Sequence, residues 1–213
     1  ALTADLFEDA GDDLSIVARF VQGRVFPAWK SRTHDVGPSR CYAALARAAQ
    51  PGVSAETIED RLAELGDVGA VAASLELGGQ TGLDAFGDQG GDQADDATER
   101  SVSDGFDAFE EIANASGSGS EDRKEDRLFS LFSDSSPEEA RFLSRLVLGE
   151  MRIGVGEGTV RDAIAEAVLA PETEPESADA DATDADATDD PQLAAPEEAV
   201  AAVEGALQVT NDY

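Results

Sequence analysis

Apolar side chains along this chain recur three and four residues apart and nowhere alternate, and that spacing restricts what it can fold into. A helix brings residues i, i+3 and i+4 to one face, whereas a half-buried strand needs a period of two. "LSIVARFVQGRVF" sets Ile16, Val17, Phe20 and Val21 at helical spacing and is stopped by Pro27. "PSRCYAALARAAQ" opens on Pro38, which suits a first helical turn because its missing N–H has no partner there. Ser54 is placed to cap "AETIEDRLAEL", a helix expected to bury Ile58, Leu62 and Leu65 and to end at Gly66. "DVGAVAASLEL" predicts a further short helix, and the glycine- and acid-rich stretch from Gly78 to Thr98 predicts a surface loop.

The second half repeats the pattern. "SDGFDAFEEIANA" leads through "SGSGS" into "EDRKEDRLFSLFSD", and Ser136, Pro137 and Glu139 spell a capping box with proline in the first turn. The helix they open carries Phe142, Leu143, Leu146 and Val147 on one face; the next, "EGTVRDAIAEAVL", turns Val160, Ile164, Ala167 and Val168 inward. Between Glu172 and Asp190 lie nine acids and no base, a composition that cannot bury enough apolar surface to order itself. The expected organisation is an all-α domain over 1–170, an acidic disordered insert over 171–195, and a C-terminal helix within 196–213.

Charge narrows the partners. Lys and Arg total 15 against 46 Asp and Glu in 213 residues, a net charge of −31. Such a surface repels a phosphate backbone and argues against generic nucleic-acid binding. The acids lie along every predicted helix and lysine is nearly absent, as in adaptation to molar salt, where the screening length falls to about 3 Å. An acidic, partly disordered protein of ordinary salt is the other reading of the same composition. The distribution is uneven, however: from Arg123 to Arg161 there are seven bases and seven acids. Cys41 and His34 are single in their kinds, which excludes an internal disulfide and a zinc site of Cys and His ligands. No apolar run approaches the roughly 18 residues of a membrane span, and no signal peptide is visible. A soluble, cytoplasmic monomer that does not engage membranes is expected.

Two glycine turns fall inside the neutral region. A helix start leaves backbone N–H groups unpaired and carries about half a positive charge, so it binds phosphate without a lysine. "RIGVGEGT" offers that geometry with Arg152 to fork onto phosphate oxygens, Gly154, Gly156 and Gly158 to admit them, and Thr159 to donate a hydroxyl. "SGSGSEDRK" has the same parts in Gly117, Ser118, Gly119 and Ser120, with Arg123 and Lys124 one turn in. Ordinary connecting turns would read the same way, and Arg152 could instead pair with Glu150 or Glu157.

"EARFLSRLVLGEMRIGVGEGTVRDAIAEA" resembles the signature region of the DNA-binding domain of archaeal and eukaryotic ATP-dependent DNA ligases. "ELGDVGAVAA", "FEEIANASGSGSEDRKEDRLFSLF" and "VEGALQVTNDY" resemble further segments of that family in order and spacing. The resemblance implies an all-helical domain that grips nicked duplex DNA from the minor-groove side through its backbone. By position it assigns DNA contacts to Gly117, Ser118, Gly119, Ser120 and Lys124 in one turn and to Arg152, Gly154, Gly156, Gly158 and Thr159 in the other. It also implies ATP and Mg2+ as cofactors of the parent enzyme, and a role in replication, repair and recombination. Gly156 and Gly158 depart from the family pattern, as does the acidic insert. The family's usual helix ahead of "LSIVARF" is expected to be missing.

Adenylation requires a lysine nucleophile, in this family within "KxDG". The nearest approach is "KEDR" at Lys124, with arginine in place of glycine, so no catalytic residue and no cofactor are assigned to this chain. It reads as a binding region whose catalytic and OB-fold domains lie elsewhere. The competing reading is an acidic helical protein-interaction module without a nucleic-acid role. Finally, "QTGLDAFG" sets Gln80, Leu83 and Phe86 at the spacing of the sliding-clamp box of archaeal ligases, although Gly87 stands where a second aromatic is usual. Leu83 and Phe86 could equally anchor a loop to the core.

Overall fold

The computed structural model describes residues 2–78, 101–152, 154–169 and 196–210. Ten α-helices are present among them: α1 Leu2–Asp9, α2 Leu14–Val21, α3 Pro38–Ala48, α4 Ala55–Leu65, α5 Val68–Ala73, α6 Val102–Asn114, α7 Ser120–Ser133, α8 Pro137–Leu148, α9 Glu157–Ile164 and α10 Glu197–Thr210. No strand occurs among the described residues; a single antiparallel bridge joins Ala49 to Leu77. The fold is all-α, as the spacing required. None of the described helices is long and apolar enough to cross a membrane. Gln80, Leu83 and Phe86, and the acidic segment 171–195, lie outside the described residues.

The chain divides into two compact units, Arg19–Ile153 and Ala1–Ala18 with Gly154–Tyr213. In the first, α3 packs along α7 and α4, and α5 lies against α8. Phe109, Phe132, Leu45, Ile58 and Leu146 are fully buried there. Phe20 meets Phe109 edge-on, with ring centres 6.1 Å apart, and Phe26 meets Phe106 at the same separation. Such edge-to-face pairs add about 0.5–1.5 kcal/mol to their burial.

Side-chain caps fix where these helices begin. Ser54 Oγ accepts from Thr57 N–H at 3.2 Å while Thr57 Oγ1 accepts from Ser54 N–H at 3.3 Å. Ser136 and Glu139 close the expected box on α8. Ser101 and Asp104 close a further one on α6, with Asp at the position where Glu or Gln is the usual signature.

The "GDVG" run has a single structural explanation. Gly66 ends α4 at φ +67° and Asp67 caps α5, accepting from Gly69 N–H at 3.0 Å. The same carboxylate takes a two-pronged bond from Arg145 of α8, with Nε donating to Oδ1 at 3.0 Å and Nη2 donating to Oδ2. A Cβ on Gly69 would stand 2.5 Å from Arg145 Nε and 2.8 Å from the Arg141 carbonyl, so close approach of α5 to α8 requires glycine.

In the second unit, α1 packs on α9, and α10 packs on α9 and on a short π-helical turn, Ala165–Leu169. Phe7, Val160 and Ala163 are buried, and Val203 closes the α10 side.

Three expectations are corrected here. Helix α1 stands ahead of α2, where no helix was expected; its eight residues show too few apolar repeats to be read as periodic. Leu65 is 51% exposed and Leu62 half-buried, because α4 packs chiefly on α3 and α5 and Ile58 is the residue it buries fully. Val168 is 54% exposed and Ala167 half-buried, since the wider π turn takes residues after Ile164 off the α-helical stripe.

Candidate nucleic-acid interface

The first glycine turn lies in the unit Arg19–Ile153. Helix α6 ends at Asn114, and Gly117 and Gly119 take φ values of +78° and +73°, a region that side-chain-bearing residues rarely adopt. Ser120 N–H donates to the Gly117 carbonyl at 3.1 Å, closing the turn into α7. Gly119 is the N-cap and supplies no capping side chain. Gly117, Ser118 and Gly119 are exposed, and Ser120 is half-buried.

The two cations of this turn are not disposed as the spacing suggested. Arg123 folds back and donates to the carbonyls of Ser116 at 2.7 Å and Ser118 at 3.1 Å, bracing the turn from behind. Lys124, grouped by sequence with the contact residues, is only 5% exposed. Its Nζ donates to the backbone carbonyl and to the carboxylate of Asp35, both at 3.4 Å. Asp35 holds φ +52°, the one positive value outside glycine among the described residues. A buried ammonium must be partnered, so the Lys124–Asp35 link ties α7 to the 33–37 segment and keeps that charge inside. The neighbouring His34 has its pKa lowered, first by burial and then by the charge of Lys124.

The second turn spans the two units. Arg152 belongs to the first and is exposed; among the described residues it has no ion-pair partner, so the pairing with Glu150 or Glu157 is not formed. Gly154, Gly156, Gly158 and Thr159 belong to the second and are all exposed. Gly156 is the N-cap of α9 without a side-chain cap, and Val160 anchors the helix inside. Only Gly154, at φ +67°, needs glycine for its conformation. A Cβ added at Gly156 or Gly158 would meet nothing within 4 Å, and neither has a positive φ, so the fold gives no reason for glycine at either place.

Both helix starts therefore lack a capping side chain, in contrast to α4, α6 and α8, whose first-turn amides are closed by serine. Uncapped amides at an exposed glycine turn are the arrangement that accepts an external anion. Cys41 offers no alternative chemistry: its thiol is fully buried and pushed up to about 12, by burial first and by Glu150 second.

Residues 1–165, which include both glycine turns, are matched by the family model for the DNA ligase N terminus, and the chain belongs to that family. The DNA ligase of the halophilic archaeon Haloferax volcanii is 58% identical over 221 residues, covering the whole of this chain and 35% of that protein. The DNA ligase of Natronomonas pharaonis is 60% identical over 83% of this chain and 31% of its own length, and that of Methanococcoides burtonii 41% over 75% and 28%. The chain thus spans about a third of the length of the curated relatives it matches.

Proposed function

We propose that this chain is the part of an ATP-dependent DNA ligase that grips nicked duplex DNA through the sugar-phosphate backbone from the minor-groove side. The remainder of the enzyme would use ATP and Mg2+ to seal the nick in replication, repair and recombination. Gly117, Ser118, Gly119 and Ser120 offer one phosphate seat at the start of α7; Gly154, Gly156, Gly158 and Thr159 offer another at the start of α9. Arg152 is assigned to a phosphate by its guanidinium. Lys124 is given a supporting role through Asp35 rather than a direct contact.

The observation that carries this reading is Arg152, exposed and unpaired among the described residues of a chain with net charge −31; the starts of α7 and α9, each without a capping side chain, support it. Backbone contacts carry no base information, so binding should be nearly independent of sequence. The test is a gel shift on several nicked duplexes across a potassium chloride series. A charge-assisted hydrogen bond contributes about 1.5–3 kcal/mol, so Arg152→Ala should weaken binding about tenfold or more, alike on every duplex. Wild-type protein that ignores DNA at every salt concentration would refute the proposal.

A further inference from the structure

We infer that Arg24 is a second phosphate-contacting arginine, set beside Arg152 to hold the same DNA backbone; this rests on the DNA-gripping function proposed above. The two are 128 positions apart, and no pattern in the sequence links them.

Close packing of two backbones brings them together. Gly23, at φ +75°, sits directly against Met151: a Cβ there would stand 3.0 Å from Met151 Cγ and 3.2 Å from its Cβ. Arg24 follows Gly23 and Arg152 follows Met151. Successive Cα atoms lie about 3.8 Å apart, so this contact keeps the two arginine Cα atoms within about 14 Å, inside the combined reach of two extended side chains. Gly23 and Val25 both line the cavity bounded by the C-terminal end of α8, Leu146–Gly149, while Arg24 between them is exposed. All of these residues lie in the unit Arg19–Ile153.

Charge singles out the same pair. Arg40, Arg47, Arg127, Arg141 and Arg145 each meet a carboxylate. Lys30 lies over the Trp29 ring, Arg61 donates to Ser74, and Arg123 donates to carbonyls. Among the described residues, Arg24 and Arg152 are the two cations whose side chains have neither hydrogen bond, ion pair nor ring partner. Arg152 contributes to holding the Asp67 carboxyl down, but that carboxylate is already taken by Arg145. In a chain carrying 46 acids, two neighbouring guanidiniums without an acid are charge left open for an external anion. A phosphodiester suits a guanidinium, which forks onto two oxygens.

Binding of a fluorescently labelled nicked duplex, followed by anisotropy across a potassium chloride series, tests this with the whole chain. Each phosphate contact on duplex DNA contributes about 0.9 to the slope of log affinity against log salt. Arg24→Gln should lower affinity about tenfold at moderate salt and reduce the slope by about 0.9, matching Arg152→Gln; the double variant should lose about 1.8. Arg24→Lys keeps the charge and should keep the slope. Arg47→Gln makes the same change in net charge where the arginine is already neutralised by Glu125 and Asp126, and it should leave the slope unchanged. If Arg24→Gln behaves like Arg47→Gln while Arg152→Gln loses affinity, the inference fails and the DNA-gripping function stands. If wild type binds no DNA at any salt, both fail. Arg24 makes no side-chain bond, so circular dichroism of the variant should match wild type and keep a loss of binding separate from a loss of fold.

Discussion

Replacing Asp67 by alanine removes three hydrogen bonds at one stroke. Its Oδ1 caps α5 through Gly69 N–H, and both carboxylate oxygens hold the Arg145 fork of α8. Loss of an N-cap costs about 1 kcal/mol. Stranding one partner of a buried ion pair costs about 3–5 kcal/mol, and here the lower end applies or slightly less, because the two side chains keep 16% and 18% of their exposure. The sum is about 3–4 kcal/mol. For a domain of this size each kcal/mol lowers the melting temperature by about 2–4 °C, so Asp67→Ala should melt about 10 °C below wild type.

The assay is thermal unfolding by circular dichroism at 222 nm in molar potassium chloride. Asp67→Asn keeps an oxygen for Gly69 and should lose about half as much. Adding Arg145→Met to Asp67→Ala should restore part of the loss, because no guanidinium is then left buried without a partner. The pH dependence has a definite sign. The Asp67 carboxyl is held below its ordinary value chiefly by the hydrogen bonds of Arg145, with burial opposing and Gly69 N–H and the charges of Arg145 and Arg152 assisting. A depressed folded-state pKa contributes stability that is complete above the unfolded value of about 3.9 and is lost as pH falls through the folded one. The gap between wild type and Asp67→Asn should therefore be constant from about pH 5 to pH 8 and narrow below about pH 4. Melting of Asp67→Ala within about 2 °C of wild type would refute the reasoning.

Three further outcomes are expected. Gly158→Ala meets open space in the first turn of α9 and should leave the melting temperature unchanged or raise it by a degree or two, while weakening binding of nicked duplex; equal affinity would mean that no backbone approaches this turn. Helicity should rise with potassium chloride, since a net charge of −31 repels over a long screening length in dilute buffer; full helicity without salt, read by circular dichroism, would count against adaptation to high salt. Incubation with labelled ATP and denaturing electrophoresis should show no covalent AMP on this chain, because its nearest candidate, Lys124, is buried against Asp35 and lacks the glycine of the motif; a labelled band would overturn that assignment.

The sequence alone determined what depends on neighbours within a turn or two. Helix starts at Ser54, Ser136 and Pro38 and the stop at Gly66 were legible because a cap acts over three residues and proline over one. The glycine turns at 117–119 and 154–158 were legible too, since their composition is itself the signal. Tertiary structure alone decided which way long side chains point. Lys124 and Arg123 lie one turn from Gly119, where spacing alone suggested open donors, yet Asp35 draws one inward and the loop carbonyls draw the other back. It likewise decided that Leu65 and Val168 remain exposed, because periodicity marks an apolar face but not how much of it a neighbour covers. The placing of Arg24 beside Arg152 depends on Gly23 meeting Met151 across more than a hundred residues of chain, and no local pattern encodes a contact at that separation.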